Sequence, residues 1–306
     1  MNTSQSPDTL KEVLSIVGNA PSGRPLVELY RLSKKDLDNL AFVVASLDNS
    51  LCFPEACLQN VSLTGHLPLI KETTARTFCP FDPSDAIYHV LANGEHLTEK
   101  KQLEVCKFLL PLAPASSLPH VLDLAVRELN ADVVEYTVNN FKVDIEPEDH
   151  YDLLVEALSR VKSYPKRCAH IIDLLLKNKK DLFDEPFDGV LRCAMEASAS
   201  SVKQVIPFVA PSCIPKTLCR FLQGNKLREM LENRPNEEFK DIVELLYEKS
   251  KYFFVSLTME QLDVFLPKDD HPYFWELHTQ FSLQHDLEKS VEKSVKKAPS
   301  RPEKKM

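Results

Sequence analysis

Cysteine and histidine offer this chain its most reactive side chains, and their spacing is the first test of what they do. Cys52-x4-Cys57, with His66 and Cys79 further on, holds residue types that zinc takes in tetrahedral sites. The chain has no C-x2-C pair, however, so core thiols are the expectation rather than a metal centre. Cys168 and His170 lie two apart in a helical pattern, which sends them to different faces and excludes a nucleophile and its base. His271, His278 and His285 recur every seven residues, but Pro272 interrupts the first turn, and exposed histidines are expected there instead of a ligand set. Asn60-Val61-Ser62 fits a glycosylation acceptor, yet the N-terminus lacks the blocks of a secretory signal, so the match reads as chance. The sequence contains neither a phosphate-cradling glycine loop nor a nucleophile elbow. No catalytic residue, metal or cofactor is expected, and the chain reads as a non-enzyme.

Composition narrows the classes further. A hydrophobic content of 43% and a charged content of 27% over 306 residues describe a globular chain with ample material for a core. The eight cysteines sit mostly inside apolar helical patterns, where a reduced thiol behaves as a small hydrophobe. No apolar run approaches the ~18 residues that span a bilayer, so a cytoplasmic or nuclear location is the expectation. The net charge is −8, but from Asp286 onward seven Lys/Arg face four Asp/Glu. A general nucleic-acid binder carries the opposite balance on its folded part; only the basic tail, residues 288–306, fits contact with nucleic acid or an anionic membrane.

The elements that hold these residues show best at Val121 to Val138. Leu122, Ala125, Val126 and Leu129 fall at i, i+3, i+4 and i+7, and Val134, Thr137, Val138 and Phe141 repeat that spacing. Two short amphipathic helices back to back make a hairpin, which buries neither stripe fully by itself. The same hairpin is countable along the chain. Apolar pairs for the second helix occur at Leu69-Ile70, Val105-Cys106, Val133-Val134, Ile171-Ile172, Val205-Ile206 and Ile242-Val243, at intervals of 36, 28, 38, 34 and 37 residues. Prolines keep step. Pro54, Pro83, Pro119, Pro147, Pro186 and Pro215 each precede or open a first helix, where a missing N–H costs nothing.

Val121–Val138 and Cys57–Thr74 resemble the helical part of an ankyrin repeat, PLHLAARNGHLEIVKLLL, without a gap. The resemblance covers about residues 52–250. The family's T-P-L-H is absent, the glycine after each second helix is missing with Asn140 and Asn178 in its place, and extra turn residues are expected near Gly94–Lys101, Val161–Arg167, Ser198–Ser200 and Asn225–Glu237. The fold class that follows is all-α: a solenoid of about six degenerate ankyrin-like helix pairs with N- and C-terminal capping helices, or else a HEAT- or tetratricopeptide-like α-solenoid. The division is 1–50 N-terminal segment and capping helices, 51–250 repeats, 251–287 C-terminal capping helices and 288–306 disordered basic tail. Short helices are expected at Asp8–Val17 and Leu257–Leu266, and a longer one at Tyr273–Leu287.

The resemblance implies a scaffold that binds a partner protein through its concave face, with no small-molecule substrate. Eroded chains of this kind also occur in large DNA viruses and intracellular pathogens, so a host-directed role fits. With Ala125, Ala157 and Ala194 in the place of the family's first-helix alanine, the residues implied for binding are Arg127, Glu128, Ser159, Arg160 and Glu196.

Overall fold

In a computed structural model of the chain, the described residues are 29–47, 52–77, 81–177, 188–210, 214, 217, 236–249, 268 and 272–297. They fall into two compact units, Met1–Asn178 and Lys179–Met306. Regular structure among the described residues is helical, with one isolated parallel bridge between Phe53 and Thr77.

The first unit contains α1 (Lys34–Ser46), α2 (Glu55–Ser62), α3 (Leu67–Ala75), α4 (Ser84–Asn93), α5 (Glu99–Leu109), α6 (Leu118–Arg127), α7 (Ala131–Asn140), α8 (Pro147–Ser159) and α9 (Pro165–Lys177). Four hairpins follow one another: α2 with α3, α4 with α5, α6 with α7, and α8 with α9. First helices pack in turn on first helices, α2 on α4, α4 on α6, α6 on α8. Among the second helices α1 packs on α3, α5 on α7 and α7 on α9. Two helix layers result, with the core between them.

The sequence signals act where they were read. Pro54 and Pro83 cap α2 and α4, Pro119 sits in the first turn of α6, and Pro147 opens α8. Second helices begin on side chains that accept a backbone N–H: His66 from Leu69, Thr98 from Lys101 and Asn130 from Val133. Each satisfies one of the donors that a helix start leaves open, worth about 1 kcal/mol. Leu69-Ile70, Val105-Cys106, Val133-Val134 and Ile171-Ile172 all have 0% exposure, as do Ala125 and Ala157. α1 buries Leu37, Leu40, Ala41 and Val44, an i, i+3, i+4, i+7 stripe within the N-terminal capping segment.

The tight turn between helices recurs in the two best-aligned hairpins. Gly65 (φ 62°) and Leu129 (φ 53°), equivalent in the gapless alignment, are the positive-φ residues among those described. A Cβ on Gly65 would lie 2.9 Å from Leu97 Cδ2. Leu129 adopts the left-handed conformation at a cost of roughly 1–2 kcal/mol, offset by burial of its side chain to 4% exposure.

The second unit holds α10 (Asp188–Ala197), α11 (Ala199–Val205), α12 (Asn236–Lys249) and α13 (Pro272–Lys297). α10 packs on α11 and α11 on α12, burying Ala194, Val205, Ile206 and Ile242.

Three expectations change. Ser198 alone joins α10 to α11, so the turn there has no insertion; its hydroxyl caps α11 at Ser201. Asn140 does not end α7 in a left-handed turn, because it is the last helical residue and the chain leaves through extended Phe141 (φ −126°, ψ 144°). α13 continues to Lys297, so residues 288–297 are helical where a disordered tail was expected. Their repeating EKSV pattern keeps helix formers at most positions, and Pro299 is the first residue to forbid continuation. Asp8–Val17, Asn178, Pro186, Pro215, Leu257–Leu266 and residues 298–306 lie outside the described residues.

Candidate functional site

Arg127 and Glu128 end α6, and Ser159 and Arg160 end α8, so the structure brings four of the five residues implied for binding to adjacent helix ends. The Arg160 guanidinium donates to the Arg127 carbonyl at 2.7 Å and pairs with Glu156 at 2.8 Å. Arg127 pairs with Asp123 at 3.0 Å. That hydrogen bond first, then the charges of Asp123, Glu156 and Asp152, raise the Arg127 pKa. Ser159 donates to the Glu156 carbonyl, and Glu128 is exposed. Glu196 belongs to the second unit, where Arg192 Nε lies 3.7 Å from it.

Arg160 therefore caps a helix as well as facing solvent. The same cap occurs one hairpin pair earlier, where His96 Nε2 donates to the Leu63 carbonyl at 2.6 Å. Both bonds span 33 residues, and Leu63 and Arg127 are equivalent positions. A carbonyl that the end of a first helix leaves open is closed from the next hairpin. A second pair of bonds spans 28 residues: His66 Nε2 lies 2.9 Å from Asp38, and Asn130 donates to Gln102 Oε1 at 2.8 Å. Gln102 in turn donates to the carbonyls of Val90 and Gly94, a close approach that a Cβ on Gly94 would obstruct. Every polar atom of that buried amide chain has a partner, which is what makes such a network specify a register.

The two layers of the first unit differ in charge. Helices α2, α4, α6 and α8 carry seven carboxylates and one arginine, net −6. Helices α3, α5, α7 and α9 carry six carboxylates and seven Lys/Arg, net +1. The second layer uses its cations between neighbours: Lys71 lies over Phe108, Lys107 over Tyr136, and His170 faces Glu135 at 3.6 Å. In the first layer an aromatic pair bridges α4 and α6, the Tyr88 and His120 rings lying 1° from parallel with centroids 6.4 Å apart. Sequence reading missed this pair. Its signal was an aromatic or imidazole beside the buried stripe of α4 and of α6, at Tyr88 after Ile87 and at His120 before Val121.

Burial decides the remaining candidates. Desolvation pushes the Cys57 thiol up to about 11 and Cys106 up to about 12, and it raises Cys168 too, so these thiols stay protonated at neutral pH and are poor metal ligands. Among the described residues no three His, Cys, Asp or Glu side chains are placed to hold a metal; Cys79 and His271 lie outside them. His278 and His285 are 6% and 8% exposed, not solvated as expected, because the seven-residue spacing puts them with Trp275 on the buried side of α13. Asn60 and Ser62 are buried in α2, which removes them from any glycosylation machinery. In the second unit an open groove of about 350 Å³ lies between α11 and α12, lined by Lys203, Asp241, Glu244 and Leu245 among others. Among the described residues no helix is long and apolar enough to cross a membrane. Compared with known protein families, curated proteins and solved structures, the chain matches none.

Proposed function

We propose that this chain is a non-enzymatic interaction module, a degenerate ankyrin-like solenoid whose first-helix layer binds a partner protein. The observation that carries the reading is the paired cap at 33 residues, His96 to Leu63 and Arg160 to Arg127, with the left-handed turn repeated at Gly65 and Leu129. Bonds and turn both recur after 64 residues, which is two hairpins, as stacked helix pairs of about 33–34 residues do; the gapless match of the two turns is what favours the ankyrin type. Such repeats act by surface recognition, and their binding residues stand on the faces that no neighbouring repeat covers. A cytoplasmic or nuclear setting suits a chain whose buried thiols are reduced.

The test is affinity capture by the intact chain, read by mass spectrometry, beside the variant Arg127→Glu/Glu128→Lys. Both positions are exposed and end a helix without filling the core, so circular dichroism should be unchanged and the loss of the Asp123 pair should cost only about 0.5–1 kcal/mol. Loss of a captured partner from the folded variant supports the reading. Capture that is the same for both proteins moves the site away from these helix ends.

A further inference from the structure

The first-helix layer presents a surplus of one charge around a flat aromatic surface. Tyr88 is 41% exposed and stacks on His120 across two helices. Asp85 stands one turn before Tyr88, and Asp123 one turn after His120. The layer's own Arg127 and Arg160 already sit in carboxylates, at Asp123 and Glu156. Glu55, Asp85 and Asp152 are exposed and form no ion pair among the described residues; Asp152 lies near enough to Arg127 to help raise its pKa, and Asp85 accepts only the Gln59 amide, at 3.3 Å.

Resting on the interaction-module reading, we propose that this face docks an arginine-bearing basic segment of the partner, with Tyr88 and His120 as its stacking platform and Glu55, Asp85 and Asp152 as its counter-charges. A guanidinium is planar and weakly hydrated, so it can lie on an aromatic ring while its edge forks onto a carboxylate, and both groups stand here one helical turn apart. An ammonium ion gains the charge but less of the stacking, which sets arginine above lysine. The net −6 of the layer repels phosphates, so nucleic acid is the wrong class of partner for this face. The opposite layer, net +1 and with its lysines over Phe108 and Tyr136, lacks the surplus.

The probe is a fluorescent nona-arginine peptide, followed by anisotropy at about 150 mM salt, where charges more than about 8 Å apart are screened. Asp85→Lys/Asp152→Lys should weaken binding by about tenfold or more, whereas Glu72→Lys/Glu104→Lys, the same charge change on the second layer, should alter it by less than about twofold. Tyr88→Ala/His120→Ala should lower affinity for nona-arginine more than for nona-lysine. Equal weakening by both reversals, or an aromatic variant that treats the two peptides alike, overturns the proposal. Should the lysine variant fail to fold, Asp85→Asn/Asp152→Asn carries the same comparison with a smaller step. A captured partner that ignores all these substitutions leaves the interaction-module reading standing and refutes this docking face; failure to capture anything beside normal peptide binding does the reverse.

Discussion

The two helix layers of the first unit have similar core faces and opposite outer ones. Inward, both are apolar and buried: Ile87, Val90 and Leu122 of the first layer and Ile70, Val105 and Val134 of the second all have 0% exposure. Outward, the second layer places Lys71 and Lys107 over its own aromatics and Arg167 on Glu99, while the first leaves Glu55, Asp85 and an aromatic pair open. Exposed contacts of the first kind give about 0.5–1 kcal/mol each and hold neighbours together. Unpaired surface charge contributes nothing to a stack. Its concentration on one layer is what a recognition surface looks like when stability does not require it.

The comparison breaks most severely at the shared core. Ile172→Ala, a second-layer residue with 0% exposure, should cost about 2–5 kcal/mol in denaturant unfolding. Asp152→Ala, outward on the first layer, should stay within about 0.5 kcal/mol. Next comes the buried amide chain that joins two consecutive hairpins. Asn130→Ala removes the α7 cap and leaves Gln102 Oε1 without its donor, for about 1–3 kcal/mol. Gly65→Ala follows at roughly 1–2 kcal/mol, since it places a Cβ at φ 62° and 2.9 Å from Leu97. Lys107→Ala, the outward second-layer contact to Tyr136, should cost about 0.5–1 kcal/mol, and measured peptide binding should not change.

Thiol chemistry sharpens the comparison without any substitution. Cys57 on the first layer and Cys106 on the second are both buried, with thiols raised to about 11 and about 12 from an ordinary 9.0. In the folded chain they remain neutral as pH rises, whereas unfolding frees them to ionise; their contribution to stability is complete below about pH 9 and is lost as pH climbs toward the folded values. At pH 8, mass mapping after alkylation should show Cys52, which is exposed, modified and Cys57 and Cys106 spared. Modification of the buried pair under native conditions would mean that the hairpins open readily.

Much of the fold was legible because it rests on short-range rules. The apolar pairs, the prolines and the turn at Gly65 each act within one hairpin, and periodicity found them. Leu129 shows the limit. Nothing in the residue type announces a left-handed turn, and only alignment with Gly65 points to it. His96 and Arg160 were harder still, for their bonds cross 33 residues, and Arg160 was implied only for partner binding when its guanidinium also closes a neighbour's helix. The proposed docking face was not among the residues singled out in sequence, because the Tyr88 and His120 pair exists only once α4 and α6 lie side by side. The burial of His278 and His285 was misjudged because Pro272, taken as a break, instead starts α13.

The most direct measurement is hydrogen–deuterium exchange of the intact chain with and without its captured partner, resolved to the helices of the first unit. The account predicts added protection in α4, α6 and α8 and in the turns after α6 and α8, with α3, α5 and α7 unchanged. Protection confined to the second-layer helices, or to the second unit, would contradict it.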